Sequence, residues 1–348
     1  MHNTLHPLPK ILLLGPIILD EKSNGGEGEK LFNILSNEGY TVYKRSRYRN
    51  KIKRLFSTLW FLLSSVKKYD IAILLVFSGY GAYVYNLLCA IICYITGKPI
   101  IAIIHGGAYY KFYTKSKKLN AILFNYFTKI GTPSLFLKNK FDEEKIALEY
   151  IPNFIETEYF TYTKRSNFNY KLIWVRAFHQ IYNPTMAIRA IKELSSRYPA
   201  LLLTMVGSDR GEMAKCKELA KQLNIEHHIV FEGFVSDKKH LNALFHQHDV
   251  YINTTQYESF GIANFEAALT GLPIVSTNAG EMPYLWQSNI NIRLVDVNDH
   301  VSMSEQIADL FESHEQRIKL GEAGYKLANS FSWQQVYPYW LNLFNKVK

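Results

Sequence analysis

Cysteine is scarce in this chain: Cys89, Cys93 and Cys216 are the only three in 348 residues. So sparse and odd a set argues against a disulfide framework and fits a reducing cytoplasm. Cys89 and Cys93 stand four apart in an apolar run, which places them on one face of a core helix. No Cys and His spacing suits a metal site. Long hydrophobic runs are also missing. The longest, 82–96, contains Asn86 and falls short of the ~20 residues that a membrane-spanning helix needs, so it reads as a buried helix. Gly15-Pro16 splits the apolar stretch near the N-terminus and Asp20-Glu21 closes it, leaving no signal-peptide pattern. Two nucleotide fingerprints are absent. Gly26-Glu27-Gly28 lacks the third glycine of a nicotinamide loop, and the strand expected at 40–43 supplies no acid for a ribose. No Gly-Lys-Ser/Thr follows to make a phosphate-binding loop of the NTPase kind.

Acidic residues are missing from 43–69, the densest basic stretch of the chain, which includes Lys44, Arg45, Arg47, Arg49, Lys51, Lys53 and Arg54. The net charge of +10 lies wholly in the first part: residues 1–150 hold 21 Lys plus Arg against 10 Asp plus Glu, and the remainder holds 19 against 20. The basic stretch runs into Leu55, Phe56, Trp60 and Phe61. Positive charge beside aromatic and aliphatic side chains suits the surface of an anionic membrane, here through residues 44–68. Nucleic acid is the other polyanion, but no nucleic-acid-binding motif accompanies the charge.

At this length, with 48% apolar residues, the chain can build two domains with substantial cores. Strand-like runs at 8–14, 40–43, 70–77, 100–104 and 130–133 alternate with helical stretches. The same alternation restarts near Lys171, with strands at 172–175, 201–206, 229–231, 250–252, 274–276 and 292–295. Alternation of this kind predicts an α/β protein with parallel sheets covered by helices on both faces. Two such units in succession predict two Rossmann-like, doubly wound domains facing a cleft, at 1–155 and 156–330. An aromatic-rich segment, 331–348, closes the chain.

The most informative stretch is Glu258-Ser259-Phe260-Gly261-Ile262-Ala263-Asn264-Phe265-Glu266, followed by Gly271-Leu272-Pro273-Ile274-Val275. A strand leads into it, a glycine turn follows, and a helix begins at about Gly261. That order points backbone N–H groups and a helix N-terminus at one spot, which suits a phosphate. Glu258 in the loop suits sugar hydroxyls, and Glu266 inside the helix suits a ribose diol.

Together these residues closely resemble the E-x7-E motif of the retaining, GT-B-fold glycosyltransferases of family 4, the glycosyl transferases group 1. The resemblance implies a GT-B fold with a C-terminal helix, 331–348, that crosses back to the first domain. It implies donor binding mainly in the second domain and acceptor binding in the first. Arg176, ending Leu172-Ile173-Trp174-Val175, is similar to the arginine that binds the donor diphosphate. The lysine usual about six residues later is absent, and His179 or Tyr182 stand near its place. His105, before Gly106-Gly107, resembles the histidine near the donor sugar. Asn24-Gly25-Gly26 resembles the glycine loop that approaches the phosphates, and Gly233-Phe234-Val235 the segment that meets the nucleobase. The catalytic set is then Arg176, Glu258 and His105. Gly25, Gly26, Val235, Ser259, Phe260, Gly261, Ile262 and Glu266 form the donor-binding set. The implied reaction is sugar transfer from a nucleoside diphosphate sugar to a lipid-linked or polysaccharide hydroxyl at the inner face of the cell membrane, with retention. No Asp-x-Asp motif occurs, so neither a metal nor a cofactor is expected. A nucleotide-sugar epimerase, or a non-catalytic member that binds a nucleotide sugar or a partner, stands as the alternative.

Overall fold

The computed structural model describes residues 8–15, 26–45, 48, 50–106, 108–165 and 168–347. The chain divides into two compact units, one of residues 1–152 with 338–348, the other of residues 153–337.

The first unit is a six-stranded parallel sheet in the order β2-β1-β3-β4-β5-β6. Its strands are β1 (Ile11–Leu14), β2 (Val42–Arg45), β3 (Ile71–Val76), β4 (Ile100–Ile104), β5 (Lys129–Thr132) and β6 (Glu149–Tyr150). Its helices are α1 (Glu27–Asn37), α2 (Lys51–Ser64), α3 (Tyr80–Ile95), α4 (Ala108–Lys115), α5 (Lys117–Phe124) and α6 (Leu135–Glu143). Every residue of β1, β3 and β4 is buried, as continuous Ile, Leu and Val runs require when helices cover both faces.

The second unit is a six-stranded parallel sheet in the order β12-β11-β10-β7-β8-β9. Its strands are β7 (Lys171–Val175), β8 (Leu202–Val206), β9 (Ile229–Gly233), β10 (Val250–Asn253), β11 (Ile274–Thr277) and β12 (Arg293–Val295). Its helices are α7 (Pro184–Ser195), α8 (Met213–Gln222), α9 (Lys238–His246), α10 (Ile262–Leu269), α11 (Met282–Leu285), α12 (His300–Glu312) and α13 (His314–Asn329). The last helix, α14 (Trp333–Asn345), contains Pro338, and the division between the units falls at that proline. Beyond it, Phe344 packs on Tyr40 at 5.6 Å, and Lys346 pairs with Glu149 at 2.7 Å.

Both sheets are doubly wound α/β structures of the expected class. In each, strand order reverses once, between β1 and β3 in the first unit and between β7 and β10 in the second. Ligands of open parallel sheets bind outside the carboxyl ends of the strands at such a reversal. Cys89 and Cys93 are buried in the first core, as their spacing predicts. The helix expected to be buried along 82–96 is α3, and the structure corrects that reading. Tyr80, Val84, Tyr94 and Ile95 face solvent, because the sheet and α2 cover only part of its circumference. No helix among the described residues is long and apolar enough to cross a membrane.

Packing of α13 against α10 depends on glycine. A Cβ on Gly321 would lie 2.4 Å from the carbonyl oxygen of Gly271, in the turn that follows α10. Ala normally outranks Gly inside a helix by about 1 kcal/mol. Here Gly321→Ala is expected to lose about 1–3 kcal/mol through overpacking. A thermal melt should show a lower Tm, and a higher Tm would contradict this packing.

Candidate active site

In the second unit the carboxyl ends of β7 and β10 lie side by side, and the segments that leave them carry the charge. Arg176 follows β7 directly, and Glu258 lies in the loop between β10 and α10. Buried hydroxyls hold this loop. The Trp174 indole N–H donates to Thr254 Oγ1 (3.0 Å), and Thr254 Oγ1 donates to the Tyr182 carbonyl (2.8 Å). Thr277 Oγ1 donates to the Thr255 carbonyl (2.6 Å), fixing the loop to the end of β11. Two glycines let backbone segments pass at van der Waals distance. A Cβ on Gly207 would lie 1.7 Å from the Arg176 carbonyl oxygen. One on Gly280, where φ is +61°, would lie 2.1 Å from that of Glu258.

Arg176 and Glu258 are bonded to each other. Arg176 Nη2 donates to Glu258 Oε2, and the two side chains are only 11% and 8% exposed. Arg176 Nε reaches Asn253 Oδ1 at 3.4 Å, and the guanidinium lies 5.5 Å from the centre of the Tyr182 ring. Burial works against the guanidinium's charge. Only together do the charge of Glu258 and the contributions of Tyr251, Tyr182 and Glu266 outweigh it and hold Arg176 above its ordinary value. Glu258 Oε1 also accepts from the Ser259 amide at 3.1 Å.

The second acid has its own cation. Glu266 projects from α10, is 5% exposed, and accepts from Lys238 Nζ at the start of α9. Lys238 is a residue that the sequence reading missed. Its one local signal is the Asp237 N-cap, which starts α9 three residues after Phe234, and the pairing with Glu266 arises only in the fold. His179 and Tyr182, which stand near the expected lysine position, supply no second cation. His179 caps its own turn through the Ile181 amide, and Tyr182 offers Arg176 its ring face.

The helix start has the expected form. Gly261 is left-handed (φ +86°), no side chain caps α10, and its first turn carries no acid. Phe260 is buried against Phe265 at 4.7 Å, so residue 260 can offer a ligand only its backbone. Ser259 is exposed and Ile262 half-buried. Val235 is half-buried beyond β9, two residues after Gly233 at φ +83°.

In the first unit, His105 follows β4. Its Nδ1 lies 2.6 Å from Glu27 Oε2, and its ring stacks on Phe77 at 5.8 Å. Nε2 is buried without a partner among the described residues. This contact places Gly26, the N-cap of α1, beside His105. Desolvation pushes the Glu27 carboxyl up, but the charge and hydrogen bond of His105 reverse that and leave it below its ordinary value. The backbone of Gly26 has φ −69°, an extended value open to any residue. A Cβ there would meet nothing within 4 Å, and glycine is among the residues favoured at a helix N-cap. Asn24, Gly25 and Gly107 lie outside the described residues. No group of three or more potential metal ligands occurs among the described residues.

Residues 157–327 match the family profile described as Glycosyl transferases group 1. D-inositol 3-phosphate glycosyltransferase of Corynebacterium jeikeium (strain K411) is 26% identical over 212 residues, covering 56% of this chain and 50% of its own. Protein CapJ of Staphylococcus aureus is 25% identical over 325 residues, covering 88% and 79%. The chain therefore spans about half the length of the first of these relatives. A crystal structure of Anabaena HepE in complex with UDP superposes with a TM-score of 0.75 at 15% identity, covering 97% of this chain and 99% of that one. A likeness at that identity shows a shared fold, and the fold is GT-B. Residues 157–327 are thus a group 1 glycosyltransferase segment.

Proposed function

We propose that the protein transfers a sugar from a nucleoside diphosphate sugar to a hydroxyl of a lipid-linked or polysaccharide acceptor in cell-surface glycan synthesis. The observation that carries this reading is the buried Arg176–Glu258 pair at the reversal between β7 and β10, beside the uncapped start of α10. The name of the Corynebacterium relative as a glycosyltransferase, and UDP in the Anabaena structure, support it.

On this reading the donor diphosphate takes the place of Glu258 at Arg176 and lies against the amides at the start of α10. Glu258, released, accepts hydrogen bonds from the donor sugar, and Glu266, oriented by Lys238, accepts them from the ribose. The anomeric C–O bond breaks with its electron pair passing to the diphosphate, where Arg176 stabilises the charge. The acceptor oxygen attacks from the same face, and its proton passes to a departing phosphate oxygen, so configuration is retained without an enzyme nucleophile. His105 and the Gly25-Gly26 backbone are assigned to the donor sugar and phosphates, and Val235 to the base. Arg176 and the helix start supply the countercharge, so transfer in EDTA should equal transfer without it.

The same reading seats the protein on the inner face of an anionic membrane. Ile52, Phe56, Trp60 and Leu63 of α2 are 67%, 67%, 73% and 59% exposed. Their spacing puts them within roughly a quarter of the helix circumference, and Thr58, Phe61 and Leu62 are buried. Lys51, Lys53, Lys67 and Lys68 are exposed around this stripe. Each buried apolar side chain contributes about 1.5–3 kcal/mol, and each basic residue at the surface about 1 kcal/mol.

Three variants check these assignments. Glu258→Gln should keep nucleoside diphosphate binding, since Arg176 is freed for it, while kcat falls about 10²–10³-fold. Arg176→Met should lose that binding in a thermal-shift panel of nucleoside diphosphates and lower stability by about 3–5 kcal/mol, because Glu258 is left buried and unpaired. Full transfer by either variant would remove the assignment. Phe56→Ser with Trp60→Ser should release the protein from sedimenting anionic vesicles, and unchanged co-sedimentation would rule out contact through α2.

A further inference from the structure

Among the described residues His105 uses only one of its two ring nitrogens. Its amide donates to the Val76 carbonyl at the end of β3 (3.1 Å), which fixes the backbone beneath the ring. The ring lies within 16° of the plane of Phe77, 5.8 Å between centres. Glu27, the first residue of α1, holds the ring edge, with Oε2 2.6 Å from Nδ1. The other nitrogen, Nε2, is buried with no partner among the described residues, on a side chain only 10% exposed. A buried polar atom without a partner costs free energy that a ligand atom would recover.

Glu27 determines what Nε2 can offer. Burial raises the Glu27 carboxyl, but the charge and hydrogen bond of His105, with the charge of Lys30, bring it below its ordinary value. An ionised carboxylate only accepts hydrogen bonds, so the nitrogen that faces it carries a proton. In the neutral ring that is the only nitrogen-bound proton, and Nε2 is left with a bare lone pair.

We propose that Glu27 is a positioning residue for His105: it pins the ring proton on Nδ1 and so makes Nε2 a fixed acceptor for one hydroxyl of the bound sugar. A hydroxyl fits because it brings the proton that Nε2 lacks. A fluorine or an ether oxygen brings only lone pairs, and Nε2 rejects it. The carboxylate thus acts on selectivity through the imidazole and without touching the sugar. In its absence the ring is free to carry its proton on Nε2 and to admit such groups. Assigning the hydroxyl to the donor sugar rests on the glycosyltransferase reading, whereas the pinned proton does not.

Proton–nitrogen correlation spectra of the full chain test the inference, with the His105 signals identified by their loss in His105→Gln. Above the ring's own titration the parent should show Nδ1 protonated and Nε2 bare. Glu27→Ala should transfer the proton to Nε2, with little change in Tm, because alanine is well accepted in a helix. Selectivity is the second readout. Replacing one hydroxyl of the nucleoside diphosphate sugar that the parent turns over by fluorine should lower kcat/KM about tenfold more in the parent than in Glu27→Ala. Affinity for the nucleoside diphosphate alone should be the same in both. A neutral ring protonated on Nε2 in the parent, or a proton that stays on Nδ1 in Glu27→Ala, would overturn the pinning. Equal losses in parent and variant at every hydroxyl would overturn the acceptor role. A parent that turns over no nucleoside diphosphate sugar, with the ring protonated as described, would sink the donor reading and leave the pinned proton standing.

Discussion

A guanidinium and a carboxylate buried together at the end of a parallel sheet set the terms for the second unit. Arg176 and Glu258 come from strands far apart in sequence that the sheet order makes neighbours. Neither could be buried alone at tolerable cost, since an unpaired ion in such surroundings is expensive. Each therefore holds the other in place while no ligand is bound. On the proposed reading the pair is also what a donor diphosphate breaks, and binding then exchanges one anionic partner of Arg176 for another.

The scaffold around the pair is rigid for reasons that can be traced to single residues. The hydroxyls of Thr254 and Thr277 donate to the backbone carbonyls of Tyr182 and Thr255, which ties the loop after β10 to the segment before α7 and to the end of β11. Gly207 and Gly280 allow contact distances that no Cβ tolerates. Phe260, Phe265, Trp286 and Phe331 form an aromatic cluster under the loop, with ring centres 4.7–4.8 Å from Phe265 to each of the other three. The Lys238–Glu266 pair repeats the Arg176–Glu258 arrangement one helix away. Both acids of the motif are thus held by a cation, and both are aligned before any ligand arrives.

Much of this was legible in the sequence, and the limits have physical causes. Glu258, Gly261 and Glu266 sit on one loop and one helix, where spacing alone fixes direction. The continuous apolar runs of β3 and β4 announce strands buried on both faces. Lys238 was invisible because it lies 28 residues from Glu266 and meets it only through the crossing of α9 over the sheet. The α3 helix was misread because apolar residues all round a helix do not reveal which face a neighbour covers. Strand β6, two residues long, is too short to carry a period.

The most direct measurement is a crystal structure with the nucleoside diphosphate sugar bound. The account predicts that Arg176 has left Glu258 for the β-phosphate, that the diphosphate lies against the amides of residues 261–263, and that Glu258 accepts a hydroxyl of the sugar. A bound donor with the Arg176–Glu258 contact still intact, and its phosphates held elsewhere, would contradict it.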